Sequence, residues 1–416
     1  MEFSNPWFTV ILLSVIGLHA LGVLAAVLNL RRLSPQLPRG LEDIYEPEAY
    51  AKSQAYTRES ERFEILSGSI RLVIFLGFWL CGGFGWMDAL VRSWSDSAIL
   101  QGLYGIGLLY AGSTLLGLPF SWYDTFHIEA KYGFNKTTPG TFVADTTKGL
   151  VLAAVLGLPL MALLIKLFSA YENAWLWAWA ATTVIMLALQ YIAPRWLMPL
   201  FNKFTPLPDG SLKNAINALS AKCDFPLAGL FVIDGSKRST KANAFFAGFG
   251  RNKRIALYDT LIEKHPEPEL IAVLAHEIGH FKCRHIVQRM VVGILQMALI
   301  FLFMGLLMNN AGLHRAFGVE QTSVWLSFVF FMVLFEPVQL LMSLGGNLWS
   351  RKHEFEADAY AAKVTGSPDP LISGLKRLAR DTLSNLTPHP LQVFLHYSHP
   401  PMPERLAALE RLHTSV

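Results

Sequence analysis

Seven stretches of this chain are long and apolar enough to cross a bilayer, and nothing else restricts its fold so severely. A spanning helix needs about 20 mostly apolar residues. Windows near 7–30, 68–91, 98–120, 149–170, 174–200, 287–309 and 322–345 meet that demand. Inside lipid every backbone N–H and C=O must be paired within the protein, which leaves helices as the form for runs of this length. Composition agrees: 52% of the 416 residues are hydrophobic and 16% are charged, where soluble domains carry about a quarter charged residues. The first run is too long for a signal-peptide core and no basic segment precedes it, so it reads as a retained span. Trp175, Trp177 and Trp179 open the fifth run, where an interfacial aromatic belt belongs.

Lys and Arg alternate between loops. The 31–67 loop carries Arg31, Arg32, Arg39, Lys52, Arg58 and Arg62, and the 121–148 loop carries Lys131, Lys136 and Lys148. The loops between them hold Arg92, no basic residue, and Arg315. Positive loops stay in the cytoplasm, so the N-terminus is expected outside. The two long hydrophilic stretches are then expected to face the cytoplasm together. Four segments follow: a membrane domain at 1–200 with spans one to five, a catalytic region at 201–286, spans six and seven at 287–345, and a second cytoplasmic region at 346–416. A net charge of +4 is too mild to imply nucleic acid as a partner. Cys81, Cys223 and Cys283 form no CxxC pair, which argues against a cysteine-rich metal site or a disulfide framework.

The 201–286 stretch reads as a helix over 211–222, two strands near 229–233 and 254–258, and a turn-rich, basic segment between them. Residues 242–249 have the character of an edge strand onto which an extended peptide can add. A helix over 265–285 is expected to run on into the sixth span, with prolines and Glu267 and Glu269 in its first turn.

That helix contains His276-Glu277-Ile278-Gly279-His280. Residues i and i+4 share a helix face, so both imidazoles can reach one zinc ion while Glu277 touches the water beside it. Zinc lowers the pKa of that water, and Glu277 is placed to take its proton as general base during attack on a peptide carbonyl. HExxH fixes only three positions and arises by chance on the order of once in a hundred chains of this length. Here it sits in an apolar helix, where ionisable groups are costly unless used. The third ligand is expected from a second helix, at Ser350-Arg351-Lys352-His353-Glu354-Phe355-Glu356-Ala357-Asp358. Glu354 and Asp358 share a face and Glu356 points away. Glu354 is therefore the expected ligand, and Asp358 the carboxylate that receives a ligand histidine's other N–H. His285 falls on the far side of a continuous helix and reads as structural. Cys283 reads as packing. Glu336, beside Pro337 in the seventh run, is a candidate functional carboxylate within the membrane or else lines the chamber or satisfies a kinked backbone.

HEIGH at 276–280, SRKHEFEAD at 350–358, ANAFFAGFGRNKRIALYDTL at 242–261 and SHPPMPER at 398–405 together resemble the M48 metallopeptidases, and more closely the CAAX prenyl protease 1 (Ste24) group. The likeness covers nearly the whole chain. It implies a mainly α integral membrane protein with seven transmembrane helices around a water-filled chamber. A cytoplasmic zincin-like (gluzincin) catalytic region with a small β-sheet would close one end. One Zn2+ per chain would be held by His276, His280 and Glu354. Asn243 would hold the substrate backbone or oxyanion, His399 would stabilise the tetrahedral intermediate, and Arg405 would support the network around Asp358. Substrates would be peptides or proteins, prenylated or not, met among membrane lipids. Glu356 stands where several relatives have glutamine. The 310–321 loop is shorter than in eukaryotic members, which favours a bacterial inner membrane over the endoplasmic reticulum. Two other readings remain open at this point. One is a quality-control protease like HtpX, whose members have fewer spans. The other is a zinc-binding transporter, which would place its ligands at mid-membrane.

Overall fold

The computed structural model describes residues 2–38, 40–247 and 253–413. Arg39 of the first basic loop and residues 248–249 of the expected edge strand lie outside them. Among the described residues, seven helices are long and apolar enough to cross a membrane: Pro6–Arg32, Pro47–Leu80, Ala98–Glu129, Pro139–Ala170, Ala174–Leu200, His285–Leu307 and Val324–Thr365. They are called spans one to seven. The apolar windows of the first six are only 6–22% buried. Most of the surface of these windows is thus uncovered by other parts of the protein.

Two sequence expectations fail at helix ends. The window at 68–91 is not one helix. Span two stops at Leu80, Gly82 takes the left-handed conformation (φ 77°), and a separate helix, Gly83–Trp94, follows. Hydropathy registers apolar content and is blind to a turn made by a glycine with φ > 0. Likewise the HExxH helix does not continue into the sixth span. It is Glu267–Lys282, Arg284 is left-handed (φ 61°), and span six begins afresh at His285. A non-glycine residue in that conformation costs roughly 1–2 kcal/mol, so surrounding contacts must hold the break.

The seventh helix has 42 residues. At 1.5 Å per residue it is about 63 Å long, roughly twice the hydrocarbon thickness, so its last turns stand clear of the membrane. It therefore crosses the 345/346 boundary without interruption. Its N-terminal end, termed the outer end, packs through its own Trp325 and Phe330 into an aromatic cluster with Trp79, Phe84 and Phe317, in which the Phe317 and Phe330 rings stack at 3.9 Å. Its C-terminal end, termed the inner end, is buried from His353 to Ala362 against the 201–286 stretch.

Among the described residues, the 201–286 stretch holds four strands: β1 (Phe204–Pro206), β2 (Leu227–Ile233), β3 (Ala244–Ala247) and β4 (Lys253–Tyr258). Their order is β1-β2-β4-β3, with β2 and β4 parallel and the outer pairs antiparallel. β3 is thus a sheet edge. The helix Ser211–Lys222 and the HExxH helix pack on this sheet through Ile216, Leu219, Leu270, Leu274 and Ile278, joined by Ile44 and Tyr45 from between spans one and two and by Tyr50 from the first turn of span two. The Tyr45 hydroxyl donates to the Ala379 carbonyl at 2.5 Å. The basic segment before β3 is a docking device. Arg238 forks onto Asp145 at 2.7 and 3.0 Å and donates to the Phe201 carbonyl, and Lys241 pairs with Glu129 at 2.8 Å.

Candidate metal centre

The HExxH helix and the inner end of the seventh helix cross at Gly279 and Ala357. A Cβ on Gly279 would lie 3.1 Å from both Cα and O of Ala357, so any side chain here would push the two helices apart by at least a few tenths of an ångström. The consequence of the close crossing is a convergence of side chains from both helices. The Nε2 atoms of His276 and His280 lie 3.2 Å apart. The carboxylate of Glu354 is 3.5 Å from the first and 3.3 Å from the second. His276, Glu354 and Asp358 are buried, and His280 is half-buried.

Hydrogen bonds fix the tautomers. His276 Nδ1 lies 2.7 Å from Asp358 Oδ1, and a carboxylate only accepts, so Nδ1 carries the proton and Nε2 the lone pair. Arg405 holds Asp358 in turn, with Nε 2.8 Å from Oδ2 and a terminal nitrogen 2.6 Å from Oδ1. Its other terminal nitrogen is 3.6 Å from Glu354. Once His276 Nε2 gives up any second proton, lone pairs on two imidazoles and a carboxylate face one another across little more than 3 Å. That arrangement is repulsive by itself and becomes favourable around a cation, so the donor set fits a divalent metal ion. Burial works against charging His276, but its hydrogen bonds with Asp358 and Glu354 carry its pKa up to about 9. The same acceptors that favour a proton there favour a metal.

A cavity of about 210 Å³ opens beside these atoms. Asn243, Glu277, His399 and Arg405 line its polar side, and Val273, Leu371, Leu375 and Leu378 its apolar side. Glu277 is half-buried, and burial raises its carboxyl above the ordinary value against the pull of the two histidines. Asn243 heads β3. Its Oδ1 accepts from the Ala244 N–H at 2.8 Å, which leaves the amide N–H2 as the group available to the cavity. His399 is exposed, with Nε2 3.6 Å from Glu354. His276, Glu277, His280, Glu354, Asp358, Asn243, His399 and Arg405 therefore lie in one constellation.

Other contributors escaped the sequence reading. Arg351 donates to the carbonyls of Val393 and Tyr397 and so seats the segment that brings His399 and Arg405 to the site. Glu269, buried in the first turn of the HExxH helix, accepts from Ser373 Oγ at 2.6 Å and Arg377 Nε at 2.9 Å, and lies 2.9 Å from His265 Nδ1. Burial opposes its charge, but these partners hold its pKa below the usual carboxylate value. His285 and Glu356 also belong to the constellation, which the helix break at Arg284 had hidden.

The sequence pattern described as "Peptidase family M48" matches residues 206–413, and the one described as "CAAX prenyl protease N-terminal, five membrane helices" matches residues 26–203. The chain belongs to peptidase family M48. Within that family it is 38% identical over 402 residues to the CAAX prenyl protease 1 homolog of Arabidopsis thaliana, covering 92% of this chain and 93% of that one. It is 36% identical to the CAAX prenyl protease 1 of Saccharomyces cerevisiae, covering 90% and 88%. The crystal structure of S. mikatae Ste24p superposes with a TM-score of 0.93 at 35% identity, covering 97% of this chain and 99% of that one. This M48 protein is accordingly a multi-pass membrane metallopeptidase of the CAAX prenyl protease 1 (Ste24) group, and the quality-control alternative gains no support.

Proposed function

We propose that the protein is a zinc endopeptidase in which His276, His280 and Glu354 hold the ion. The spacing of the three candidate ligands carries this reading. A tetrahedral ion with bonds of about 2.0–2.1 Å sets its ligand atoms about 3.4 Å apart. The observed separations are 3.2, 3.3 and 3.5 Å, the last two to different oxygens of Glu354, and two imidazole nitrogens suit zinc rather than calcium, which takes oxygen ligands. When bound, zinc acidifies water and polarises a carbonyl.

The chain's own residues supply the rest. Glu277 takes the proton of the attacking water and later returns it to the leaving amine. Its raised pKa suits a group that must do both. Asn243 and His399 donate to the oxygen that becomes negative, each contribution being worth about 2.7–4 kcal/mol where such donors have been removed. Arg405 and Asp358 hold His276 in its ligating tautomer. An extended substrate adds to β3 by backbone hydrogen bonds, with the apolar side of the cavity receiving a side chain.

The substrate class follows from the relatives, whose names state a CAAX prenyl specificity: a membrane-associated peptide processed near a prenylated cysteine. We place the site on the cytoplasmic side by its basic loops, with the N-terminus outside. The short 310–321 connection favours a bacterial inner membrane. Glu277→Gln in the purified protein is expected to keep stoichiometric zinc and lose peptide hydrolysis. Retained hydrolysis would reject the role of Glu277, and absence of zinc from the active parent would reject the centre itself. Cleavage of a prenylated peptide beside its unprenylated twin tests the substrate class, and equal rates would remove the prenyl group from it.

A further inference from the structure

His280 lacks the carboxylate partner that Asp358 provides for His276. In its place stands a second imidazole. His280 Nδ1 lies 3.0 Å from His285 Nδ1, and His285 Nε2 lies 2.9 Å from Glu356 Oε2. Only one assignment of protons satisfies this chain. Ligation through Nε2 leaves His280 its proton on Nδ1, which donates to His285 Nδ1. His285 then carries its own proton on Nε2 and donates it to the carboxylate, an obligate acceptor. The helix break makes this possible, since Arg284 in the left-handed region brings His285 back toward His280.

His353 completes the arrangement. Its ring stacks on that of His285 at 3.8 Å with 8° between planes, and Trp349 packs against His353 at 4.7 Å. His285 and His353 are both almost wholly buried, so the His285 ring has no room to tilt. His285, His353 and Glu356 also present ligand atoms within 4.8 Å of one another. They make a poor second metal site, because the in-plane lone pairs of two parallel stacked rings run side by side and cannot converge on one ion.

We infer that Glu356 and His285 form a hydrogen-bonded relay that positions His280 as a metal ligand, with His353 clamping the middle ring. Two ligand histidines are then supported in different ways. His276 is held directly by a buried carboxylate that Arg405 neutralises. His280 is held through an intervening imidazole by a carboxylate that is 42% exposed on its side chain. A Glu356→Gln change makes the difference testable. Glutamine preserves an acceptor for His285 and removes the charge.

This inference rests on His280 being a ligand. The test is the dissociation constant of zinc from the purified full-length protein, measured by competition with a chromophoric chelator, together with the absorption spectrum of the Co2+-loaded protein. His285→Phe keeps the stack on His353 and deletes both hydrogen bonds. Removal of such outer partners typically costs 10–100-fold in metal affinity, and we expect a loss of about that size with a shifted Co2+ band. Glu356→Ala should lose about three- to tenfold and Glu356→Gln less. The double variant should be no weaker than His285→Phe, because Glu356 acts through His285. Zinc affinities within twofold of the parent, or losses that add in the double variant, would overturn the relay. Should His285→Phe fail to fold, Glu356→Ala against Glu356→Gln decides: a weaker alanine variant supports the relay and equal affinities overturn it. A parent that binds no zinc would instead overturn the metal centre.

Discussion

The two ends of the seventh helix are buried by opposite chemistries. At its outer end Trp325, Phe330 and Phe331 are sealed in a dry aromatic cluster. At its inner end Glu354 and Asp358 are as deeply buried, but among histidines and Arg405. Between them, from Glu336 to Lys352, the helix is exposed or half-exposed throughout. The outer cluster is cohesive by itself and tolerates any well-packed apolar set. The inner cluster gathers lone pairs and buried charge that are costly unless each is answered, so it is specified residue by residue. One rigid helix connects them, and the dry end anchors what the polar end must aim.

That contrast can be broken most sharply at Glu354. Glu354→Ala is expected to abolish zinc retention and lower peptide hydrolysis by roughly a thousandfold or more, as read by metal analysis and a cleavage assay. Unchanged zinc content would remove the inner cluster's claim to specificity. The matching change at the outer end is Phe330→Ala, which deletes the stack on Phe317 and should cost about 3 kcal/mol of stability. Thermal unfolding in detergent reads that loss, while zinc stoichiometry per folded molecule should stay the same. A drop in zinc stoichiometry would mean the two ends are not separable.

Smaller effects sharpen the comparison. Gly279→Val drives a branched side chain against Ala357 and should cost about 1–3 kcal/mol by overpacking. It should also weaken zinc binding by about tenfold as the helices part, since 1.4 kcal/mol is a factor of ten. Chelator competition measures the second effect, and Gly279→Ala should show less of both. The smallest test uses only pH. With the His276 pKa at about 9 in the metal-free protein, the ring is protonated below that value and zinc must displace the proton. Apparent zinc affinity should then rise about tenfold per pH unit toward pH 9 and level off above it. A flat profile between pH 6 and 8 would show that His276 is neutral before the metal arrives.

Most of the candidate site was legible in the sequence, because helical spacing alone puts His276 with His280, and Glu354 with Asp358. What periodicity could not reveal lies where periodicity stops. His285 looked remote only while 265–285 was taken as one helix. A single left-handed residue at Arg284 restarts the count and returns His285 to the site with Glu356. Glycines 82 and 83 hid a helix end in the same way, because hydropathy averages over a turn without registering it. The basic residues Arg238 and Lys241 read as loop charge, since their partners Asp145 and Glu129 lie about a hundred residues away in sequence.

By itself the sequence determined the membrane class, the seven apolar runs and the pairing of ligand types, all of which are local properties of composition and spacing. Only the tertiary structure decided how the two ligand-bearing helices meet. That meeting depends on the absence of a side chain at Gly279, on a backbone break at Arg284 and on a helix long enough to leave the membrane. Each matters only through what lies across from it in space.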